Sequence, residues 1–298
     1  MAKLFTRFPR KSMALCVIGL LVGLSAVSLS PAQTSTSSVW LDPEGQPLPF
    51  QSNEAIEDFL RTAEIVSQRR IGEGINNPFL VLLEKDGVQM NAVFRDIHEE
   101  SPEKKLNDGT TKYFFRDDTI FDCAAYELAK LLGMDTVPPA VERRIRGTKG
   151  TLQIWVENTR TNRELKEAEI QLPGDGLPLW RWMMRWQELQ LFDNLIYNED
   201  RNLGNVLIDS DWKLWLIDHG RTFRRWKQLQ NPELISFVER SLWEKLQTLD
   251  EALVKERLQD YLRPYEISGL LERKRLLVEH IQNLIAENGE GGVLYTKR

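Results

Sequence analysis

Three polar side chains in the second half of the chain have the types and the spacing that metal-dependent phosphate chemistry requires. Asp200 and Asn205 lie in one polar stretch, and Asp218 follows them after a short apolar run. An amide oxygen beside a carboxylate makes a pair of hard oxygen ligands, which suits magnesium carrying phosphate groups. A second carboxylate held just before this pair can orient a hydroxyl group and accept its proton. Gly220 allows the chain to turn sharply soon after Asp218.

A predicted β-hairpin positions these groups. Asn205 opens an apolar strand that turns at Ser210 and Asp211, and the return strand over residues 212–217 delivers Asp218 to the end where Asn205 lies. The rest of the second half is expected to be helical. Apolar periodicity indicates helices over residues 179–195, 232–246, 249–262 and 267–287.

The first half has the pattern of strands around a helix. Apolar runs over residues 79–83 and 88–94 flank Asp86-Gly87, and an Asp-Gly pair between two such runs is a strong hairpin signal. A second hairpin is predicted from residues 140–145 to 151–157. The other predicted segments are an amphipathic helix over 52–67, a charged loop over 96–117, a helix over 119–132 that Gly133 ends, and a linker over 158–173.

In this order and on these elements, the motifs resemble the catalytic loop and metal motif of the protein-kinase-like superfamily. The form here is Asn-x-Asp-Arg-Asn-x-x-Asn from Asn198 to Asn205, followed by Ile-Asp-His-Gly-Arg-x-Phe from Ile217 to Phe223. It lacks the usual His-Arg-Asp. It is more similar to the atypical branch: type II phosphatidylinositol 4-kinases, Golgi secretory-pathway kinases and HipA-like bacterial kinases. The resemblance covers residues 71–223.

The resemblance implies an α+β fold of two lobes, with an antiparallel sheet in the N-terminal lobe (52–158) and a mainly helical C-terminal lobe (159–298). The catalytic loop would lie within residues 193–223. Asp200 would be the catalytic base, Arg201 would support the loop, and Asn205 and Asp218 would bind Mg²⁺ or Mn²⁺. His219 is expected to shape the turn rather than bind metal, because no second His or Cys stands nearby.

The resemblance also assigns a phosphate-gripping position in the first half. Arg95 ends the strand Ala92-Val93-Phe94-Arg95, where the family places a Lys. Arginine keeps a permanent charge and can hold phosphate bidentately. On the next helix, Asp122 or Glu127 stands where the family has the Glu that pairs with that Lys. Asp122 is one methylene shorter than Glu, so we hypothesise that a longer base meets a shorter acid here.

Three more residues complete the implied nucleotide site. Gly72 and Gly74 stand where a glycine-rich loop would cover the phosphates of ATP, although a plain turn explains two glycines equally well. Glu157 belongs to Trp155-Val156-Glu157-Asn158, which stands where the family has the hinge beside adenine.

The N-terminus has the layout of an export signal. Basic residues up to Lys11 precede an apolar run over residues 13–29, and Ser30-Pro31-Ala32 fits a small-x-small cleavage site. We expect a signal peptide over residues 1–32, a linker over 33–51 and a periplasmic or secreted protein. The alternative is an uncleaved anchor, which would associate the protein with a membrane through residues 13–29. Only Cys123 follows the signal, so no intramolecular disulfide is expected and Cys123 is read as a core residue.

These observations favour an ATP- and metal-dependent phosphotransferase with a hydroxyl-bearing acceptor. The export signal favours a protein or glycan acceptor over a lipid. The net charge of −5 argues against nucleic acid as a partner. One rival is an exported pseudokinase that binds nucleotide or acts as a scaffold without turnover. Another is an unrelated envelope protein in which the motif is coincidental.

Overall fold

The structure is a computed structural model that describes residues 39–72, 78–106, 109–171 and 176–297. The expected export signal, the linker up to residue 38, and Gly74 lie outside these residues. The elements described below belong to one compact unit, Ser37–Arg298. They form a mixed α+β fold with a five-stranded antiparallel sheet. The predicted α+β class and the antiparallel sheet are therefore confirmed.

Helix α1 (Asn53–Thr62) begins the fold and is shorter than predicted. Ser52 caps it by accepting a hydrogen bond from the backbone N–H of Ala55. The prediction of a helix up to residue 67 is wrong in its last part, because Glu64 to Arg70 is extended and pairs with the following strand. The sheet therefore gains an edge strand that the helical pattern had concealed.

The main sheet contains both predicted hairpins. Its strand order is β1-β2-β3-β7-β6, with every neighbouring pair antiparallel. Asp86 and Gly87 both have positive φ, 54° and 76°, as a two-residue hairpin turn requires. The strands of the first half are β1 (Glu64–Arg70), β2 (Phe79–Lys85), β3 (Val88–Arg95), β4 (His98–Lys105), β5 (Thr111–Asp118), β6 (Ala140–Ile145) and β7 (Thr148–Ile154).

Strands β4 and β5 form a separate hairpin where a charged loop was predicted. The prediction failed because β4 consists of His, Glu, Ser, Pro and Lys, with no large apolar residue to give a strand pattern. Backbone pairing joins the two strands, the ring of His98 lies within hydrogen-bond distance of Asp118 on the opposite strand, and Lys104 pairs with Glu99 within β4. The hairpin ends at Asp117 and Asp118, immediately before helix α2 (Ile120–Leu132).

Helix α2 is buried along most of its length, which includes Cys123 as expected. It ends at Gly133, whose φ of 66° lets the chain leave in the left-handed conformation. One hydrophobic cluster lies under the main sheet and α1. A second surrounds α2 and the helices of the second half. Helix α2 thus lies between the main sheet and the helices of the second half, and its buried polar residues lie there too.

The predicted linker and the long helix after it are both structured. Thr161 and Glu164 form a capping box, which stabilises a short helix in the expected linker. The predicted hairpin near Asp218 is present. The elements are β8 (Arg160–Thr161), α3 (Asn162–Glu167), α4 (Gly176–Ile196), β9 (Val206–Ile208) and β10 (Leu214–Leu216).

The first two C-terminal helices begin later than predicted, at Arg240 and Glu251, whereas the last long helix begins slightly earlier, at Pro264. The side-chain oxygen of Gln187 in α4 accepts hydrogen bonds from the backbone N–H groups of Ser236 and Phe237. These two N–H groups therefore do not form helical hydrogen bonds. The remaining elements are β11 (Val238–Glu239), α5 (Arg240–Thr248), α6 (Glu251–Leu258), α7 (Pro264–Asn288), α8 (Glu290–Val293) and β12 (Leu294–Tyr295). Among the described residues, no helix combines the length and apolar character needed to cross a membrane.

The buried Arg273 of α7 holds the segment that follows Asp218. Its guanidinium donates to the carbonyl oxygens of Leu195, Arg224 and Trp226. These bonds fix the end of α4 and residues 224–226 to the last long helix.

Candidate functional site

The hairpin of β9 and β10 brings the two predicted metal ligands to one end. The backbone N–H of Ile217 donates to the carbonyl oxygen of Asn205 at 3.3 Å, and Asp218 is the next residue. Asn205 is buried, and its side-chain amide donates to the carbonyl oxygen of Asp200 at 3.0 Å. That bond uses the amide nitrogen and leaves the Oδ1 atom as the acceptor.

Arg201 clamps this end of the hairpin. Its Nε and Nη2 atoms donate to the two carboxylate oxygens of Asp193 at 2.9 and 3.0 Å. Its Nη1 atom donates to the carbonyl oxygens of Asn205 and Ile217 at 2.6 and 2.9 Å. A bidentate, charge-assisted pair is among the strongest polar contacts in proteins. One guanidinium therefore holds the backbone at Asn205 and at Ile217, the residue before Asp218.

Asp200 lies at the surface of the same loop. Its backbone N–H donates to the side-chain oxygen of Asn198, and its carboxylate side chain is 36% exposed. The Oδ2 atom of Asp200 lies 3.3 Å from Nη1 of Arg221. The carboxylate is thus accessible to a second molecule but has a cationic neighbour that the sequence analysis did not assign.

Arg95 joins the first half of the chain to the second. Its Nη2 atom lies 2.5 Å from Oδ2 of Asp122, and its Nη1 atom lies 2.5 Å from Oδ1 of Asp218. Burial lowers the pKa of Arg95, but the adjacent carboxylates outweigh it and raise that pKa above its ordinary value. One buried guanidinium therefore bridges the predicted phosphate-gripping position, its predicted partner and a predicted metal ligand.

Asp122 also bonds to the turn after Asp218. Its Oδ1 atom accepts the backbone N–H of His219 at 2.9 Å. Burial raises the pKa of Asp122, but the charge of Arg95 and the contacts with His219 outweigh it and hold that pKa below its usual value. Asp122 therefore fixes the position of Asp218 from two sides.

His219 is fully buried, and its ring Nδ1 lies 3.4 Å from Oδ1 of Asp122. Burial lowers the pKa of His219, which favours the neutral ring.

Asp218 has a φ of 57°, a left-handed conformation that is uncommon for residues with a side chain. Such conformations concentrate at functional sites, where the surrounding structure compensates their cost.

Two residues that the sequence analysis did not select complete the cluster. Asp117, at the end of β5, accepts a hydrogen bond from Nε of Arg221 at 2.9 Å, and Arg221 also contacts Asp200. Burial raises the pKa of Asp117. A Cβ atom on Gly220 would lie 2.5 Å from Oδ1 of Asp117, so only glycine fits there. The doublet Asp117-Asp118 at the end of the charged segment was the signal available in the sequence.

Glu127 lies away from this cluster. Its carboxylate binds Lys130 and Arg257, both at 2.6 Å, so Asp122 and not Glu127 pairs with Arg95. The reason is helical geometry: Glu127 lies five positions after Asp122 and faces a different neighbour.

Gly72 and Glu157, the other two residues predicted for the nucleotide site, also lie apart from this cluster. Among the described residues, no hydrogen bond or ion pair joins either of them to it. Gly72 follows β1 with a φ of 80°, as a turn residue would. Glu157 accepts a hydrogen bond from Asn91 of β3 at 2.7 Å, and burial raises the pKa of Glu157. Gly74, the second glycine of the expected phosphate loop, is outside the described residues.

The cluster offers two candidate oxygen ligands for a metal ion, Asn205 and Asp218. Within the described part of the chain, no group of three His, Cys, Asp or Glu side chains could hold an ion by itself. Mg²⁺ commonly takes one or two protein ligands and completes its octahedron with water and phosphate oxygens. Four aspartates surround two arginines here, a charge surplus that also suits a divalent cation. The two oxygen donors are therefore chemically compatible with a divalent cation that keeps most of its other ligands.

Comparison of the sequence with models of protein families and with curated proteins finds no match.

Proposed function

We propose that the chain is a two-lobed, kinase-like phosphotransferase that uses ATP and a divalent metal to phosphorylate a hydroxyl group. The observation that carries the proposal is the Arg95 bridge, with one nitrogen on Asp122 and the other on Asp218. It joins a strand of the sheet, the next helix and the polar hairpin at the positions for which the motif resemblance implies catalytic roles.

Each residue of the cluster has a distinct task in this proposal. Asp122 fixes one arm of Arg95, and the arm now on Asp218 would turn to a phosphate oxygen of ATP. Asn205 and Asp218 would hold Mg²⁺ or Mn²⁺, which neutralises phosphate charge. The acceptor oxygen forms a bond to the γ-phosphorus, the bond from that phosphorus to ADP breaks, and Asp200 takes the hydroxyl proton.

One observation favours a second candidate, a pseudokinase without turnover. Both carboxylates with proposed chemical tasks already contact arginines: Asp218 contacts Arg95, and Asp200 contacts Arg221. In this candidate the arginines replace the metal and block the base, and the chain acts as a nucleotide-binding or scaffold protein. Both candidates keep the proposed export by residues 1–32 and a protein or glycan partner.

Calorimetry of ATP binding to the purified full chain, with and without Mg²⁺, tests the nucleotide site. The proposal expects metal-dependent binding that the Asp218→Asn variant loses. The matched control is Asp211→Asn, because Asp211 is exposed in the turn of the same hairpin. A folded wild-type chain that binds no ATP would reject the phosphotransferase and the nucleotide-binding pseudokinase, and would leave a scaffold protein or a coincidental motif.

Turnover separates the two candidates. Release of ADP from ATP, followed by transfer of labelled phosphate to exported proteins and glycans, is the measurement. We expect Asp200→Asn to retain metal-dependent ATP binding and to lose turnover by about 10²-fold or more, the range of a general base. ATP binding by the wild type with no ADP release under any acceptor would favour the pseudokinase.

A further inference from the structure

A cavity of about 420 Å³ lies between the β4–β5 hairpin, residues 222–225 and the start of α7. Its walls include four aromatic side chains: Phe114, Phe121, Phe223 and Tyr265. None of the five residues of the proposed phosphotransfer site, Arg95, Asp122, Asp200, Asn205 or Asp218, lines it. Cavities of this size with apolar walls and a few polar groups are typical of small-molecule sites.

Arg225 is the charged group of this cavity that has no acidic partner. Its guanidinium lies over the ring of Phe114 at 4.6 Å and near the ring of Tyr265 at 5.7 Å. In the described residues, no carboxylate lies within ion-pair distance of Arg225. Arg225 is exposed, and its contacts with the two rings leave its N–H donors for another molecule.

The acidic residues of the wall do not satisfy Arg225, because each has its own arginine. Glu100 binds Arg263 with both oxygens, at 2.6 and 2.7 Å, and Glu266 binds Arg116 at 2.7 Å. Another wall residue, Arg224, pairs with Glu199 at 3.1 Å. Every other charged residue of the wall therefore has an opposite partner, and Arg225 is the wall charge that has none among the described residues.

Two of the aromatic wall residues have unusual backbones. Phe114 and Phe223 have φ values of 51° and 49°, in the left-handed region that bulky residues rarely adopt. Phe114 is 55% exposed, although a ring of that size is normally buried. Arg224 donates to the carbonyl oxygens of Phe114 and Tyr113, which fixes this unfavourable arrangement. Backbone strain that keeps an aromatic ring at the surface is characteristic of a ligand site.

We propose that this cavity binds a small organic anion with an aromatic ring, either an aryl carboxylate or an aryl phosphate. The ring packs against the exposed side chains of Phe114 and Tyr265, and Arg225 binds the oxyanion bidentately. The guanidinium fork matches the two oxygens of a carboxylate or a phosphate. The site is independent of the proposed phosphotransfer activity, because it shares no residue with that cluster.

Titration calorimetry of the full chain with 1-naphthoate and with 1-naphthyl phosphate tests the proposal. We expect saturable binding of at least one of the two anions. The anion that binds more tightly shows whether the site prefers a carboxylate or a phosphate. Arg225→Gln should weaken that binding by about tenfold or more, the effect of losing a charge-assisted hydrogen bond. Arg225→Lys should also weaken it, since a lysine cannot form the planar fork.

The control variant is Arg144→Gln, which removes an exposed arginine that likewise has no carboxylate partner among the described residues. It should bind the probe as the wild type does. Neutral 1-naphthol and inorganic phosphate should each bind at least tenfold more weakly than the aryl anion. Equal binding by Arg225→Gln and the wild type, equal binding of inorganic phosphate, or no binding of either anion by the folded chain would overturn the proposal.

Discussion

Arg95 and Asp122 form an ion pair at 2.5 Å in which the base is long and the acid is short. The acid is fully buried and the base nearly so, and a third group, Asp218, binds the other nitrogen of the same guanidinium. A lysine has a single ammonium nitrogen on a flexible stem and cannot span two carboxylates as a planar fork does. The lengths of Arg95 and Asp122 are therefore coupled in this structure.

The first prediction concerns this coupling. Arg95→Lys should weaken metal-dependent ATP binding by about tenfold, because one charge-assisted contact is lost. The double variant Arg95→Lys with Asp122→Glu should recover part of that loss, since the longer acid restores the reach. Calorimetric ATP titrations of the wild type, the two single variants and the double variant measure it. A strong gain in nucleotide turnover from Arg95→Lys alone would contradict the coupling.

The second prediction concerns Arg201. Arg201→Gln removes a bidentate partner of Asp193 and the donors to two backbone carbonyls, so we expect about 3–5 kcal/mol of destabilisation in urea unfolding. Metal-dependent ATP binding should fall as well. Arg163→Gln is the control, because Arg163 is exposed and donates a hydrogen bond to Asn202 of the same loop at 3.3 Å. Similar unfolding midpoints for the two variants would refute the clamp.

The third prediction concerns Gly220. In Gly220→Ala the new methyl group would lie against Asp117, so we expect the free energy of unfolding to fall by about 1–3 kcal/mol, the usual cost of overpacking. The same change should disturb the contact from Arg221 to Asp117. Gly291→Ala is the control with the opposite sign, because nothing lies within 4 Å of its Cβ position in helix α8. Thermal unfolding of the two variants distinguishes them.

The fourth prediction concerns Glu57, which joins α1 to α2 through Tyr126 at 3.0 Å and Lys130 at 2.7 Å. Burial raises the pKa of Glu57, but its hydrogen bonds and the charge of Lys130 outweigh it and hold that pKa below the ordinary value of 4.5. A depressed carboxyl pKa stabilises the folded chain above about pH 4.5 and ceases to do so as the pH falls through the folded value.

Glu57→Gln should therefore lower the stability at pH 7 by about 1–3 kcal/mol, since a charged hydrogen-bond acceptor is replaced. It should lower the stability less at pH 3. Urea unfolding at both pH values is the measurement. The exposed Glu54→Gln on the same helix should leave the wild-type pH dependence intact. If Glu57→Gln shows the same loss at pH 3 and pH 7, the linkage is wrong.

The sequence predicted the parts of the fold that local patterns determine. The turn at Asp86-Gly87, the end of α2 at Gly133 and the hairpin before Asp218 follow from backbone preferences that nearby residues express. The β4–β5 hairpin could not be predicted, because β4 has no large apolar residue and therefore no strand pattern in its sequence. The last turn of the predicted first helix fails because pairing with β2 overrides its helical pattern.

The candidate site divides in the same way. The positions of Asn205, Asp218 and Arg201 follow from a motif within one stretch of chain. The choice of Asp122 over Glu127 depends on which side of α2 faces Arg95, which only the packing decides. Asp117 enters the site at the end of a hairpin that the sequence pattern did not reveal. Arg221 stands in the motif over residues 217–223, but its contacts with Asp117 and Asp200 depend on packing.

The bonds of Arg273 have a consequence for the order in which the chain acquires structure during synthesis. A chain that grows from its N-terminus completes all five strands of the main sheet by Ile154, with Arg95 and Asp122 already present. Asp218 and the segment that Arg273 holds emerge later, and Arg273 itself lies in the last long helix. A ribosome-bound chain that stops before α7 should therefore carry a protease-resistant sheet and an open segment at residues 219–226.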